Sequence, residues 1–210
     1  MTHTSPSFPR SVWLVRHGQA DWNVSRRYMS VADRPLTPYG LRQATALGRF
    51  FQARKIDVLI HTGLQRTVLT AQAIQCQRII PLIEDLTWRE AAHGDWEGLT
   101  YREVSQRLPD QIRQRLGDPL HGAPGNGESL AQLSTRVMQA WHNLGQRFPG
   151  QRIVIVCHGG SIQALLCNLL GTPLSEHWRW RIDTGSTLGL DVYPGGVILR
   201  AGVVPKLTGT

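Results

Sequence analysis

Short, unbroken apolar runs alternate along this chain with longer stretches whose apolar residues recur every three or four positions. Val12-Trp13-Leu14-Val15, Val58-Leu59-Ile60 and Ile153-Val154-Ile155-Val156 are such runs. A strand with no polar alternation is covered on both faces, as in a parallel sheet sandwiched by helices. Thr37-Pro38 opens a helix, a hydroxyl cap followed by proline at the first helical position. Leu41, Ala44, Leu47 and Phe51 line one face of it. A second helix is predicted over residues 63–74 and a third strand over residues 78–83. Ser129-x-x-Gln132 is a capping box, and the helix behind it carries Leu130, Leu133, Val137, Ala140, Trp141, Leu144 and Phe148 at helical spacing until Pro149-Gly150 stops it. Another helix, with Ile162, Leu165, Leu166 and Leu169, follows the last apolar run.

Between about residues 85 and 127 the pattern weakens, with Gly, Pro and charged residues breaking up short helical stretches. Long irregular segments of this kind serve as lids or specificity elements. The last forty residues alternate as edge strands do, in Trp178-Arg179-Trp180-Arg181 and in Leu188-Gly189-Leu190. The expected fold is α/β, a three-layer sandwich with a mostly parallel central sheet between helices. One domain spans residues 11–210, with an irregular insert at about 85–127 and a polar tail over residues 1–10.

Composition narrows the class. At 210 residues, about half of them apolar when glycine is counted, the chain can bury a sizeable core without staples, so disordered, collagenous and disulfide-scaffold readings are excluded. Lys+Arg outnumber Asp+Glu by 23 to 15, and Lys55 and Lys206 are the only lysines. Arginine, the planar fork that grips phosphate and carboxylate, therefore carries nearly all the positive charge. Cys76, Cys157 and Cys167 sit among apolar residues and read as reduced core residues of a cytoplasmic protein. No apolar run reaches membrane-span length and the first residues lack a signal-peptide core, so neither export nor a membrane partner is expected.

Three apolar runs end in chemistry. The first stops at Arg16-His17-Gly18, the second at His61-Thr62 with Arg66 one turn into the next helix, the third at His158-Gly159-Gly160. Ligands of parallel sheets bind beyond the carboxyl ends of the strands, so two histidines and two arginines converge at one edge. Helices beginning after Thr62 and His158 turn backbone amides to the same space. Such a site attracts a doubly charged anion, and a phosphate group fits best. Other motifs fail. Glu128 stands where the lysine of a phosphate-binding P-loop would be, and no strand precedes the glycines there. Cys157 and His158 cannot form a dyad on one strand, because adjacent side chains point to opposite faces. Trp22, Trp88 and Trp96 flank these segments as candidate pocket walls.

The segment Leu14-Val15-Arg16-His17-Gly18-Gln19-x-x-Trp22-Asn23 resembles the signature of the histidine phosphatase superfamily, also called phosphoglycerate-mutase-like. Leu64-Gln65-Arg66-Thr67-x-x-Thr70-Ala71, Arg89-Glu90-x-x-x-Gly94-x-Trp96-Glu97-Gly98 and Val156-Cys157-His158-Gly159-Gly160 resemble its other blocks, in order. The resemblance implies that His17 is the nucleophile, that Arg16, Arg66 and His158 hold the phosphoryl oxygens, and that Glu90 is the general acid, with Glu97 a rival. Asn23 and Thr62 would add hydrogen bonds to the substrate, and Gly159 would lie against it. The expected activity is metal-independent phosphomonoester hydrolysis of a small phosphorylated metabolite, with no cofactor and no nucleic-acid partner. Two guanidiniums and a charged imidazole would stabilise the transferring group while nearby cations keep His17 neutral. A covalent phosphohistidine divides one hard displacement into two easier ones.

The chain departs from the family pattern at Ala20, where a hydroxyl is common, and at His61-Thr62, where serines are usual. Phosphoglycerate-mutase-type transfer is the alternative, although the segment after Glu90 lacks the adjacent arginine pair and proline run of the mutases. Pro124-Gly125-Asn126-Gly127-Glu128-Ser129 instead resembles a block of the smaller phosphatases, including α-ribazole phosphatases. A non-catalytic relative binding phosphate or nucleic acid is a more remote reading, motivated by the net charge of +8.

Overall fold

The computed structural model describes residues 8–207. Six strands form one sheet: β1 (Ser11–Arg16), β2 (Val58–His61), β3 (Leu82–Glu84), β4 (Arg152–Cys157), β5 (Thr187–Tyr193) and β6 (Gly196–Val203), in the order β3-β2-β4-β1-β5-β6. The sheet is mixed. Pairings from β3 through β2 and β4 to β1 are parallel, whereas β5 runs antiparallel to β1 and β6 antiparallel to β5.

The apolar runs become the strands buried on both sides. Ile153 to Val156 of β4 are completely covered, and each such side chain contributes about 1.5–3 kcal/mol over leaving it in water. Because side chains alternate, Val12, Leu14, Ile153 and Ile155 pack on one face under α6 (Leu130–Arg147) and α7 (Gly159–Leu170). Val15, Leu59, Val154 and Val156 pack on the other, under α2 (Pro38–Gln52) and α3 (Gln65–Gln75). Thr37 caps α2 by accepting from the Gly40 amide, and Ser129 with Gln132 forms the capping box of α6. Close contact fixes the start of α2. A Cβ on Gly40 would lie 2.0 Å from the Gln19 carbonyl oxygen, and one on Gly18 would lie 2.5 Å from that of Gly40.

The remaining elements are short. A single turn, α1 (Asp21–Val24), follows β1. The insert folds into two 3-10 turns, Leu86–Trp88 and Gly94–Trp96, then α4 (Tyr101–Arg107) and α5 (Pro109–Gly117). Some sequence expectations shift. The third strand is only Leu82–Glu84, because Pro81 shortens its start. Trp178-Arg179-Trp180-Arg181 is not an edge strand, since Leu174–Arg179 forms a 3-10 turn that packs on α7 through Leu174 and Trp180. Leu41 is exposed, and Cys76 ends α3 at the surface rather than in the core. Of the N-terminal tail, residues 1–7 lie outside the described residues. Residues 8–10 are tied down, with the Gly150 amide donating to the Phe8 carbonyl and the Arg10 amide to that of Gln151, each at 2.8 Å.

Candidate active site

Strand β4 lies between β1 and β2, with Arg16 opposite Cys157 and His61 opposite Val156. The residues just past these strand ends, His17, His158 and Thr62, therefore stand side by side, and all three are buried. The two imidazole centroids are 5.2 Å apart.

Hydrogen bonding assigns the ring protons. His17 Nδ1 lies 2.7 Å from the Gly18 carbonyl oxygen, which can only accept, so Nδ1 carries the hydrogen and Nε2 keeps its lone pair. Burial holds the His17 pKa well below the ordinary histidine range, helped by Arg66 and Arg16 and opposed by the Gly18 carbonyl. The neutral, Nε2-nucleophilic form is thus built in.

A relay of hydroxyls does the same for His158. Thr67 Oγ1 donates to the Leu64 carbonyl at 2.8 Å, so its proton is committed. Thr62 Oγ1, 3.1 Å away, must then donate to Thr67, and it accepts from His158 Nε2 at 2.9 Å. Thr62 is therefore used in orienting His158. Burial, followed by His17, Arg66, Arg16 and Arg136, pushes the His158 pKa well down. Burial and these neighbours thus act against the charged imidazole that the sequence suggests at His158.

The two arginines are held by carbonyls. Arg66 donates from Nη1 to Ala32 and from Nη2 to Ser30, at 2.7 and 2.8 Å, and Arg16 donates from Nη1 to Ile182 at 2.5 Å. The Nε atom of each is buried and finds no acceptor within the protein. An unsatisfied buried donor costs about 1–3 kcal/mol, more on a charged group, so this pair is built for an anion from outside. Burial lowers the Arg66 pKa to about 10 and also lowers that of Arg16.

Glu90 reaches the same space from the insert. Its Oε2 accepts from the Gly160 amide at 3.0 Å and its Oε1 from the Ala91 amide at 3.1 Å. Ser161 Oγ donates to the Arg89 carbonyl at 2.6 Å, so the first turn of α7 holds both the acid and its backbone. Gly159, the first residue of α7, is buried, and a Cβ there would touch the Arg16 guanidinium. Asn23 accepts from the Ala20 amide at 2.9 Å, which leaves its Nδ2 donors unused at a cavity wall. Ala20 itself is fully buried.

Several residues support the cluster through contacts with distant backbone. Arg136 pairs with Glu128 and donates to the carbonyls of Thr87, Arg89 and Glu90, bracing the Glu90 segment against α6. Glu97, the rival acid, accepts from the Ser30 and Ala32 amides and from Ser30 Oγ. It thereby shapes the loop whose carbonyls grip Arg66. Gln43 bridges the Gln19 amide to the Thr184 carbonyl. His61 accepts from the Gly63 amide and stays outside the cluster.

Two cavities open here and share Arg16, Tyr28 and Tyr101. The outer one, about 690 Å³, is walled by Gln19, Trp22 and Asn23 among others. The inner one, about 450 Å³, has Glu90, His93, Trp96, Arg115 and His177 in its walls. Trp88, in contrast, is a core residue under α6.

Residues 12–203 match the model of the histidine phosphatase superfamily (branch 1). The chain belongs to that superfamily. This histidine phosphatase is 32% identical over 173 residues to phosphoserine phosphatase 1 of Hydrogenobacter thermophilus, covering 82% of each chain. It is 33% identical over 186 residues to the 2,3-bisphosphoglycerate-dependent phosphoglycerate mutase of Bartonella quintana, covering 85% of this chain and 90% of that one. The α-ribazole phosphatase of Shigella flexneri superposes with a TM-score of 0.86 at 29% identity, over 94% of this chain and 96% of that structure. As in such relatives, helices flank a central mixed sheet, and among the described residues no helix is long and apolar enough to cross a membrane.

Proposed function

We propose that this histidine phosphatase hydrolyses small phosphomonoesters through a phosphohistidine at His17 Nε2. The observation that carries the reading is the buried, neutral His17, its Nδ1 proton locked on the Gly18 carbonyl, set among two guanidiniums with unused Nε donors. Electrostatic stabilisation and in-line placement are what a phosphoryl transition state requires. The Nε2 lone pair forms the N–P bond as the ester P–O bond breaks. The departing oxygen takes its proton from the Glu90 carboxylic acid. Glu90, now a carboxylate, accepts a proton from water as the water oxygen attacks phosphorus and the N–P bond breaks, releasing phosphate and restoring His17. Glu90 thus carries one proton from water to the departing alcohol, and the scheme calls for neither metal nor cofactor.

Many of the arginines are engaged within the protein. Arg27, Arg34, Arg113, Arg136, Arg147, Arg152, Arg179, Arg181 and Arg200 pair with carboxylates. This favours a small phosphorylated substrate over nucleic acid as the partner, in a protein working in the cytoplasm. The deciding assay is phosphate release from a panel of phosphomonoesters in EDTA, with an alkaline denaturing quench to trap an acid-labile, base-stable phosphoprotein. Release by the wild type, lost in a folded His17→Ala variant along with the phosphoprotein, is the expected result. Isomerisation of phosphoglycerates without net release would establish the mutase reading instead. Turnover by His17→Ala would remove the nucleophile.

A further inference from the structure

The inner cavity extends from Glu90 into the insert, and its wall holds a cation that no carboxylate among the described residues neutralises. Arg115 projects from α5 and donates from Nη1 to the Gly122 carbonyl at 2.6 Å. Among the described residues it has no carboxylate partner, whereas Arg113 on the same helix pairs with Asp110. It is half-buried, and burial lowers its pKa, with only the Tyr28 hydroxyl acting to raise it. A desolvated guanidinium without a counter-ion is a standing cost that a fixed anion removes.

The rest of the wall agrees. His177, on the 3-10 turn after α7, lines the same cavity with its Nδ1 buried beside the Leu174 backbone. Burial disfavours the charged form of that imidazole and the Leu174 backbone favours it, with Arg115 acting against the charge and Glu90 for it, so the acid and Arg115 both lie near this ring. The other acid in the wall, Glu128, is committed to Arg136. Ile112, Leu116 and Leu133 add apolar surface to the wall, and a volume of about 450 Å³ suits a small organic molecule rather than water alone.

We propose that Arg115, assisted by His177, is a specificity-determining subsite for a second anionic group carried by the leaving alcohol, so that the preferred substrates are phosphomonoesters of acidic alcohols. The inference rests on Glu90 meeting the leaving oxygen, which fixes the inner cavity as the place of the alcohol. The second anion is a carboxylate or another phosphoryl group. Both can take paired hydrogen bonds from a guanidinium.

The test compares three substrates on one carbon frame: glycerol 1-phosphate, 3-phosphoglycerate, which replaces its hydroxymethyl by carboxylate, and glycerol 1,3-bisphosphate. Nitrophenyl phosphate reports phosphatase chemistry independently of the subsite. The wild type should favour one acidic ester over glycerol 1-phosphate by at least tenfold in kcat/KM, and which one names the anion. Arg115→Gln should erase that preference with a 10- to 100-fold loss on the acidic ester, while glycerol 1-phosphate and nitrophenyl phosphate change less than threefold. Arg115→Lys should recover part of the preference. Equal losses on all substrates, or a wild type that prefers the neutral ester, would overturn the subsite. If nitrophenyl phosphate is not turned over at all, the phosphatase reading fails separately. Calorimetric binding of 3-phosphoglycerate and glycerol 1,3-bisphosphate to wild type and Arg115→Gln then decides the subsite on its own, with equal affinities in both proteins for both ligands counting against it.

Discussion

An alanine at position 160 would put a methyl carbon 2.2 Å from Glu90 Oε1. Contacts below 3.0 Å do not persist, so the carboxylate must retreat by roughly 0.8 Å. It would also strain or lose the 3.0 Å bond from the Gly160 amide. The obstructing atom is the end of a flexible side chain, and position 160 has ordinary helical backbone, where alanine gains up to about 1 kcal/mol over glycine. Stability should therefore change by no more than about 1 kcal/mol in either direction. Chemistry should not be spared, because a catalytic group displaced by about 1 Å can lose roughly 100-fold in rate. The assay pairs kcat/KM for an alkyl phosphate with kcat/KM for nitrophenyl phosphate, whose leaving group needs little protonation. Gly160→Ala should lose about 30- to 100-fold on the alkyl ester and less than about 5-fold on the aryl ester, with an unchanged melting temperature. Equal losses on both esters would show that Glu90 does not protonate the leaving group. A melting temperature lowered by many degrees would show that its contact with α7 is structural instead.

Other perturbations test the histidines. Thr67→Val removes the acceptor of the Thr62 hydroxyl, which would then donate to His158 Nε2 and move the ring proton to Nδ1. The ring-nitrogen NMR pattern should switch, activity should fall about tenfold, and Thr67→Ser should restore both; an unchanged Nε2–H pattern refutes the relay. Stability should depend on pH through His17 and His158, whose folded pKa values lie well below the 6.5 of a free imidazole. Their contribution is complete above that value and declines as pH falls toward the folded values, because the unfolded chain then binds protons that the folded chain refuses. Melting temperatures measured from pH 7.5 to 5 should fall, and fall less steeply in His17→Gln; identical slopes would refute the assignment.

The histidine–arginine cluster was legible from sequence because double-sided burial writes β1, β2 and β4 as continuous apolar runs, and the residues that end those runs, His17, Thr62 and His158, are the ones brought together. Glycines 18 and 160 were visible as motif members, although the contacts that require them were not. Legibility fails where support comes from backbone groups distant along the chain. Arg136 serves the carbonyls of residues 87–90 and Glu97 the amides of residues 30 and 32, and no periodicity marks a side chain that binds another segment's main chain. The tryptophan–arginine alternation near residue 180 misleads for a different reason. Two large side chains two positions apart suit a strand, yet Trp178 is exposed while Trp180 packs toward α7, an arrangement a tight turn also gives. The depressed pKa of His158 could not be read from sequence either, because it depends on how deeply the ring is buried and how many cations surround it.

Strand β4 enters the sheet between β1 and β2, although both are made long before it. Until residues 152–157 arrive, the two earlier strands have no common partner and each keeps a row of unpaired amides and carbonyls. A growing or truncated chain would thus carry two sticky apolar edges, of the kind that invite pairing with other chains. His17 and Thr62 would also have nothing between them to bring them together. Closure of the sheet and assembly of the reactive centre are consequently one event. A chain that has begun to fold but lacks β4 holds His17, Arg16, Arg66 and Glu90 without the strand that gathers them.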